Sequence, residues 1–470
     1  MISNGVLVST IKNMTLVCMV LPISSIAAVW DINGRFELTE TYNDNIFLSE
    51  SINEKSDYIT QINPGMTVDA KGRQATLALN YIMQNIRYSK ESSYDDTFHR
   101  LNANVNTIIL PELFYIDASA SHTQQILNRN ISVPADNLTV SDNRTEVNLA
   151  TISPYIKTQI GLNTMGELRY SEQWIDYSET SVSDTNDQSI YAELRSKVSN
   201  DLLLGFNYEK HNINSETEYD SWLEETGINV DYMITGRLSG LAGAGYEKNE
   251  YDQLDGIRTE KGNTWYLGIR WGLSPHTLIS ARYGERAFGK AKSVDLVHEL
   301  RKWQWNINYN EDYTTSAGTL LSNQLTGEID EDIVHAGDPQ PVSEVILSRN
   351  TSVRGIRNFG KLDIDISFFI RDREYRLTKE VEKIYGGDLE AIWTILPRTD
   401  VTLSVSKERD DLQSGQIKNI ILSEGVSIDR DITRNSNLKL TYRYYEYQSF
   451  RNIKQEYKQN QVSIAYNMSF

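Results

Sequence analysis

The chain has six histidines, His99, His122, His211, His276, His298 and His335, and these are its natural candidates for acid–base or metal chemistry. No two of them show a metal spacing such as a pair four apart on a helix. His211 follows an alternating segment, but serine and asparagine are so common in this chain that a triad around it could arise by chance. The acidic runs Glu216, Glu218, Asp220 and Asp330, Glu331, Asp332 offer oxygen ligands to calcium, yet neither has the spacing of a calcium loop. Sequence therefore points away from an enzyme, a cofactor or a resident metal.

A second set of charges is more informative, because it alternates with apolar residues. Asp363, Asp365, Arg371 and Arg373 interleave with Ile364, Ile366, Phe368 and Ile370, and Glu193, Arg195 and Lys197 follow the same rule. Arg270, Arg282 and Arg443 occupy equivalent places elsewhere. On strands, such residues share one face, with the apolar ones on the other. A wall of hydroxyls, amides and charges of both signs suits a hydrated, weakly charged chain, because it offers exchangeable hydrogen bonds and no deep trap. Each charge could equally be an ion pair that only balances its neighbour. Both readings stay open at this stage.

Strands must carry these residues. Period-two segments include Leu77, Leu79, Tyr81 and Met83, then Trp265, Leu267, Ile269 and Trp271, and also Leu438, Leu440, Tyr442 and Tyr444. No helical period is sustained. Segments of about 9 to 18 residues exceed the five or six of a typical soluble strand and fit a tilted membrane crossing. The last strand alternates Val462, Ile464, Tyr466, Met468 and Phe470 and then the chain stops. Ser463, Ala465, Met468 and Phe470 in it resemble the signal by which the outer-membrane assembly machinery recognises its clients.

Composition supports this class. The mean hydropathy of −0.46 excludes a helical membrane protein, while a transmembrane barrel looks polar because only alternate residues face lipid. The net charge of −18 argues against nucleic acid as a partner, since its phosphates demand a basic surface. Met14 to Leu21, followed by Ser24-Ser25-Ile26-Ala27-Ala28, reads as a Sec signal peptide over residues 1–28, leaving a barrel over 29–470. Cleavage would remove Cys18, the one cysteine, and with it any disulfide or thiolate zinc site. Phe36, Leu38 and Tyr42 already read as a first strand, which leaves no room for a large N-terminal plug and argues against an energised uptake receptor.

Short turns such as Leu110-Pro111-Glu112-Leu113, Leu273-Ser274-Pro275-His276 and Arg357-Asn358-Phe359-Gly360 alternate with longer polar links. The longer ones are Leu127 to Arg144, Glu179 to Asp187 and Thr314 to Ser343, and the last could fold inward as a constriction or stay outside. Short turns on one rim and long loops on the other predict an all-β fold, a single transmembrane antiparallel β-barrel of about 18 to 22 strands, in the bacterial outer membrane.

Glu40 to Leu48, Asp57 to Gly65 and Ser153-Pro154-Tyr155 resemble segments of the outer-membrane β-barrel proteins associated with PEP-CTERM and exosortase systems. That resemblance implies a porin-like barrel found beside exopolysaccharide biosynthesis and export, with no assigned activity and no catalytic residues. The expectation is a channel for exopolysaccharide export, whose partners are outer-membrane lipid, the barrel assembly machinery, polysaccharide and periplasmic export components. The alternatives are a diffusion or uptake porin, and a non-conducting structural barrel with surface loops.

Overall fold

A strand that hides polar residues on one side and shows apolar residues on the other is stable in a bilayer only if its backbone edges are paired all the way round. The computed structural model meets that demand with twenty-two antiparallel strands in one closed sheet. It describes residues 28–50, 53–128, 131–216, 220–253, 256–315, 319, 345–412, 417–450 and 456–470. The leader expected over 1–28 lies outside them except for Ala28.

From the N-terminus the strands are β1 (Val29–Asn43), β2 (Asp57–Lys71), β3 (Ala75–Tyr88), β4 (Asp96–Leu110), β5 (Phe114–Ile126) and β6 (Arg144–Ile160). There follow β7 (Thr164–Tyr177), β8 (Thr185–Lys197), β9 (Leu202–Ser215), β10 (Ser221–Thr235), β11 (Leu238–Gln253) and β12 (Gly256–Ser274). Then come β13 (Thr277–Arg286), β14 (Gly289–Leu300), β15 (Trp303–Thr315), β16 (Val345–Asn358) and β17 (Leu362–Tyr375). The barrel is completed by β18 (Val381–Leu396), β19 (Thr399–Leu412), β20 (Ile417–Asp431), β21 (Ser436–Ser449) and β22 (Tyr457–Ser469). Each pairs with the next in sequence, and β22 returns to β1.

The seam between first and last strand runs from Arg35 opposite Ser469 to Asn43 opposite Gln461. Two backbone bonds between Gly34 and Phe470, of 2.8 and 2.9 Å, extend it to the chain end. A Cβ on Gly34 would stand 2.5 Å from the Phe470 ring, so glycine is required for the terminal aromatic to lie on the seam.

Directly opposed residues share a face, so the register separates inside from outside. On the outward face Ile228, Leu267, Phe368 and Trp393 keep more than half of their surface exposed. Large apolar side chains in a continuous belt are untenable in water and mark the lipid side. Trp30, Trp271, Trp303 and Trp393 lie toward the end of the barrel that holds both termini, and Tyr42, Tyr58, Tyr283 and Tyr385 toward the other. Tight turns join the strands at the first, periplasmic, end, as expected. The outer links are more varied than expected: 44–56 and 127–143 are long, whereas 287–288 is a two-residue turn.

Candidate functional site

The lumen is the site, and the inward half of the register builds it. All the charges singled out by alternation stand on this face: Asp363, Asp365, Arg371 and Arg373 on β17, Glu193, Arg195 and Lys197 on β8, Arg270 on β12, Arg282 on β13 and Arg443 on β21. They do not converge on one centre. Asp365 is held by Arg354 at 2.6 Å, Arg373 by fully buried Glu382 at 3.0 Å, Arg195 by Glu193 at 2.7 Å and Arg270 by Asp231 at 2.6 Å. Arg282 lies over the Tyr266 ring at 5.3 Å and Arg371 over Phe369 at 4.5 Å. In the last strand Ser463 and Ala465 face the lumen, while Met468 and Phe470 face lipid.

Residues 131–143 of the β5–β6 link lie inside the outer end of the lumen, against the wall of β1–β3 and β20–β22. Sequence placed this stretch among the polar outer links; the structure turns it into the barrel. Val133, Ala135, Asp136, Asn137, Leu138 and Thr139 are all buried. Their docking surface consists of apolar residues at the outer ends of strands, on the face that is otherwise polar. Val133 and Ala135 pack with Leu48, Ile126, Ile421, Tyr445, Tyr447 and Tyr457, and Leu138 packs with Ile46, Ile59, Ile86 and Tyr88. Burying a side chain such as Val133 or Leu138 contributes about 1.5–3 kcal/mol, comparable to the ordering cost of one or two residues. The hydrogen bonds decide the placement.

Those bonds are numerous and mostly neutral. Val140 donates its N–H to the Ile46 carbonyl at 2.8 Å, and the Tyr445 and Tyr457 hydroxyls both donate to the Val133 carbonyl. Asn137 donates to Gln84 at 2.9 Å, which in turn donates to Gln61 at 2.8 Å. Arg144, at the root of the link, donates to Asn137 at 2.7 Å and to the Thr139 carbonyl at 2.6 Å. Asp136 accepts from Gln461 at 2.8 Å and faces Arg443 at 3.7 Å. Its other oxygen caps the Leu138 N–H at 2.9 Å. The segments Glu40 to Leu48 and Asp57 to Gly65 form part of the bed on which this link rests.

Beneath the link a cavity of about 540 Å³ follows the inner wall of β1–β3 and β20–β22. It reaches from Asp136 and Leu138 down to Arg434 and Asn435 in the periplasmic turn after β20. Hydroxyls (Thr39, Thr41, Thr441, Ser463) and amides (Gln61, Asn63, Gln84, Gln461) alternate along it. Charges of both signs accompany them: Arg35, Arg100, Arg434, Lys439 and Arg443 against Glu37, Asp136, Asp429 and Asp431. This wall can hydrogen-bond a polyhydroxylated chain at many points with only a small net charge.

The opposite side of the outer mouth is tied by charge. Arg286, at the end of β13, reaches Glu225 on β10 and Glu247 on β11 at 3.0 Å each, and Asp312 on β15 at 2.6 Å. Because β14 pairs with β15 only up to Val294 opposite Tyr309, β15 runs on above it. Tyr313 thereby packs edge-on to Phe288 at 5.3 Å, donates to Glu260 on β12, and accepts from Arg376 at 3.1 Å.

The remaining candidates are scattered. His211 stands on the inward face with its ring nitrogens on Asp187 at 3.2 Å and Glu209 at 2.9 Å. Among the described residues no group of three His, Cys, Asp or Glu is arranged to hold a metal. Glu218, the run Asp330 to Asp332, His335 and most of Thr314 to Ser343 lie outside the described residues.

No known protein family matches the chain, and no curated protein is detectably related to it. Solved structures do match. The FrpB iron transporter from Neisseria meningitidis, F5-1 variant, superposes with a TM-score of 0.53 at 10% identity, covering 94% of this chain and 83% of that one. Its F3-3 variant gives 0.52 at 11% identity, covering 94% and 82%. At such identity the likeness concerns fold. Together with the lipid-facing belt and the short-turn rim, it makes this chain an outer-membrane β-barrel of a Gram-negative bacterium.

Proposed function

We propose that the barrel is a passive conduit for a hydrated, uncharged or weakly charged polymer, with exopolysaccharide in export as its cargo. The observation that carries this reading is the cavity along the seam wall, whose hydroxyls, amides and nearly balanced charges of both signs suit a glycan better than a small ion of either sign. The export role is the one implied by the resemblance to barrels beside exosortase systems. In this reading the lining residues bind and release the chain, none performs covalent chemistry, and direction comes from periplasmic components. The β5–β6 link acts as the constriction that a passing chain must displace.

Planar-bilayer recording of the purified chain tests this. Neutral dextran added on the periplasmic side should block openings reversibly, whereas a polycation or polyanion of equal size should block less. Equal block by all three would reduce the protein to an unselective pore. The density of contacts around Val133 to Val140 favours one second reading, a barrel that never opens; complete absence of conductance in intact, heat-modifiable protein would select it.

A further inference from the structure

At the periplasmic end of β15, Trp303 and Trp305 face lipid, and across the ladder on β16 stand Arg357 and Gly355. A Cβ on Gly355 would come within 2.6 Å of the Trp305 ring, so this glycine lets the indole lie flat on the neighbouring backbone. Trp303 stacks beside it, with ring centres 6.1 Å apart and planes 18° from parallel. The Arg357 guanidinium then lies over Trp303 at 3.6 Å and under Phe359 at 4.0 Å. Two aromatic rings grip one cation.

Such a grip holds the guanidinium by its faces and leaves its N–H donors, which lie in its plane, unspent. Among the described residues no carboxylate or other acceptor takes them. That sets Arg357 apart from the outward arginines at the opposite rim: Arg409 is paired with Asp411 at 2.7 Å and Arg349 with Asp372 at 3.6 Å. The acids of the neighbouring strand ends turn the other way, Asp363 accepting from Asn358 on the lumenal face and Glu299 standing inward opposite Gln304. Arg301, Lys302 and Lys361 occupy the adjoining turns, which meet where Asn358 N–H donates to the Lys302 carbonyl at 3.1 Å. The lipid face continues directly from Arg357 to Ile364 on β17 and from Trp303 to Leu300 on β14.

A planar fork with free donors, at headgroup depth, beside apolar belt residues and cationic turns, matches a phosphodiester joined to acyl chains. We propose that Arg357, clamped by Trp303 and Phe359, binds the phosphate of a phospholipid in the leaflet that faces the periplasm. The bound lipid would sit against the periplasmic ends of β14–β17.

Native mass spectrometry of the detergent-purified full chain, titrated with phosphatidylglycerol, tests the site, with inorganic phosphate as competitor in a second arm. Arg357→Gln should lower the occupancy of the tightest lipid about fivefold, the weight of one basic residue at an anionic membrane surface. Arg357→Lys keeps the charge, loses the fork and should fall between, and inorganic phosphate should not displace the lipid. Equal occupancy in wild type and Arg357→Gln overturns the site, and displacement by inorganic phosphate alone reassigns it to free anions and overturns the lipid. If Arg357→Gln fails to give a heat-modifiable barrel, Phe359→Ala carries the test: reduced occupancy supports the clamp, unchanged occupancy overturns it.

Discussion

The two sides of the outer mouth solve the same problem by different chemistry. On the seam side the Val133 to Val140 segment is held by apolar packing and a mesh of mostly neutral hydrogen bonds to β1–β3 and β20–β22. On the far side Arg286 alone stands between three carboxylates, and Tyr313 and Arg376 bind Glu260 across strands that do not pair. Neutral hydrogen bonds each contribute about 0.5–1.5 kcal/mol net, so no single one dominates. A half-buried cation that neutralises the buried Glu247 carboxylate is different, because its loss leaves that charge uncompensated. In the proposed conduit the seam side would therefore be a removable segment that governs passage, and the far side a lock that governs stability.

The sharpest way to break this comparison is to exchange the effects. Deleting 131–140 and rejoining the chain should raise conductance several-fold while leaving the barrel heat-modifiable, since β5 and β6 pair independently of the link. Next in size, Arg286→Met should destabilise by about 2–4 kcal/mol, almost all of it from the buried Glu247 left unpaired, read from the urea midpoint of the heat-modifiable band, with little change in conductance. Asp136→Ala removes the acceptor of Gln461 and of the Leu138 N–H, and should loosen the link by about 1–3 kcal/mol. Faster proteolysis within 131–143 would register it. Smallest is Tyr313→Phe, about 1 kcal/mol of stability through the lost bonds to Glu260 and Arg376. A stability loss on the seam side larger than that of Arg286→Met would invert the assignment.

Much of this architecture is local and hence legible. Period two is written within each strand, so segments such as Leu362 to Ile370 declare both their faces without a partner. The upper end of the expected strand range proved correct. The β5–β6 link was not legible, because Val133, Leu138 and Val140 fall among Pro134, Asp136 and Asn137 with no period, and Tyr445, which accepts Val133 into the wall, is 312 residues away. One signal was present: Ile59, Ile86, Ile421 and Tyr445 put apolar residues on the polar face at the outer ends of their strands. Such a breach of alternation asks for something to cover it. Lumenal ion pairing was also hidden, since Asp365 meets Arg354 only once the register of β16 on β17 is set.

The most direct test is single-channel conductance of the intact chain against the 131–140 deletion, in one bilayer system, with neutral polysaccharide added afterwards. A constricted conduit predicts small or rare openings in the intact protein, larger steady ones in the deletion, and reversible block of the latter by the glycan. Equal conductance in both, or a silent deletion variant, would contradict the claim that this link restricts an otherwise open polar lumen.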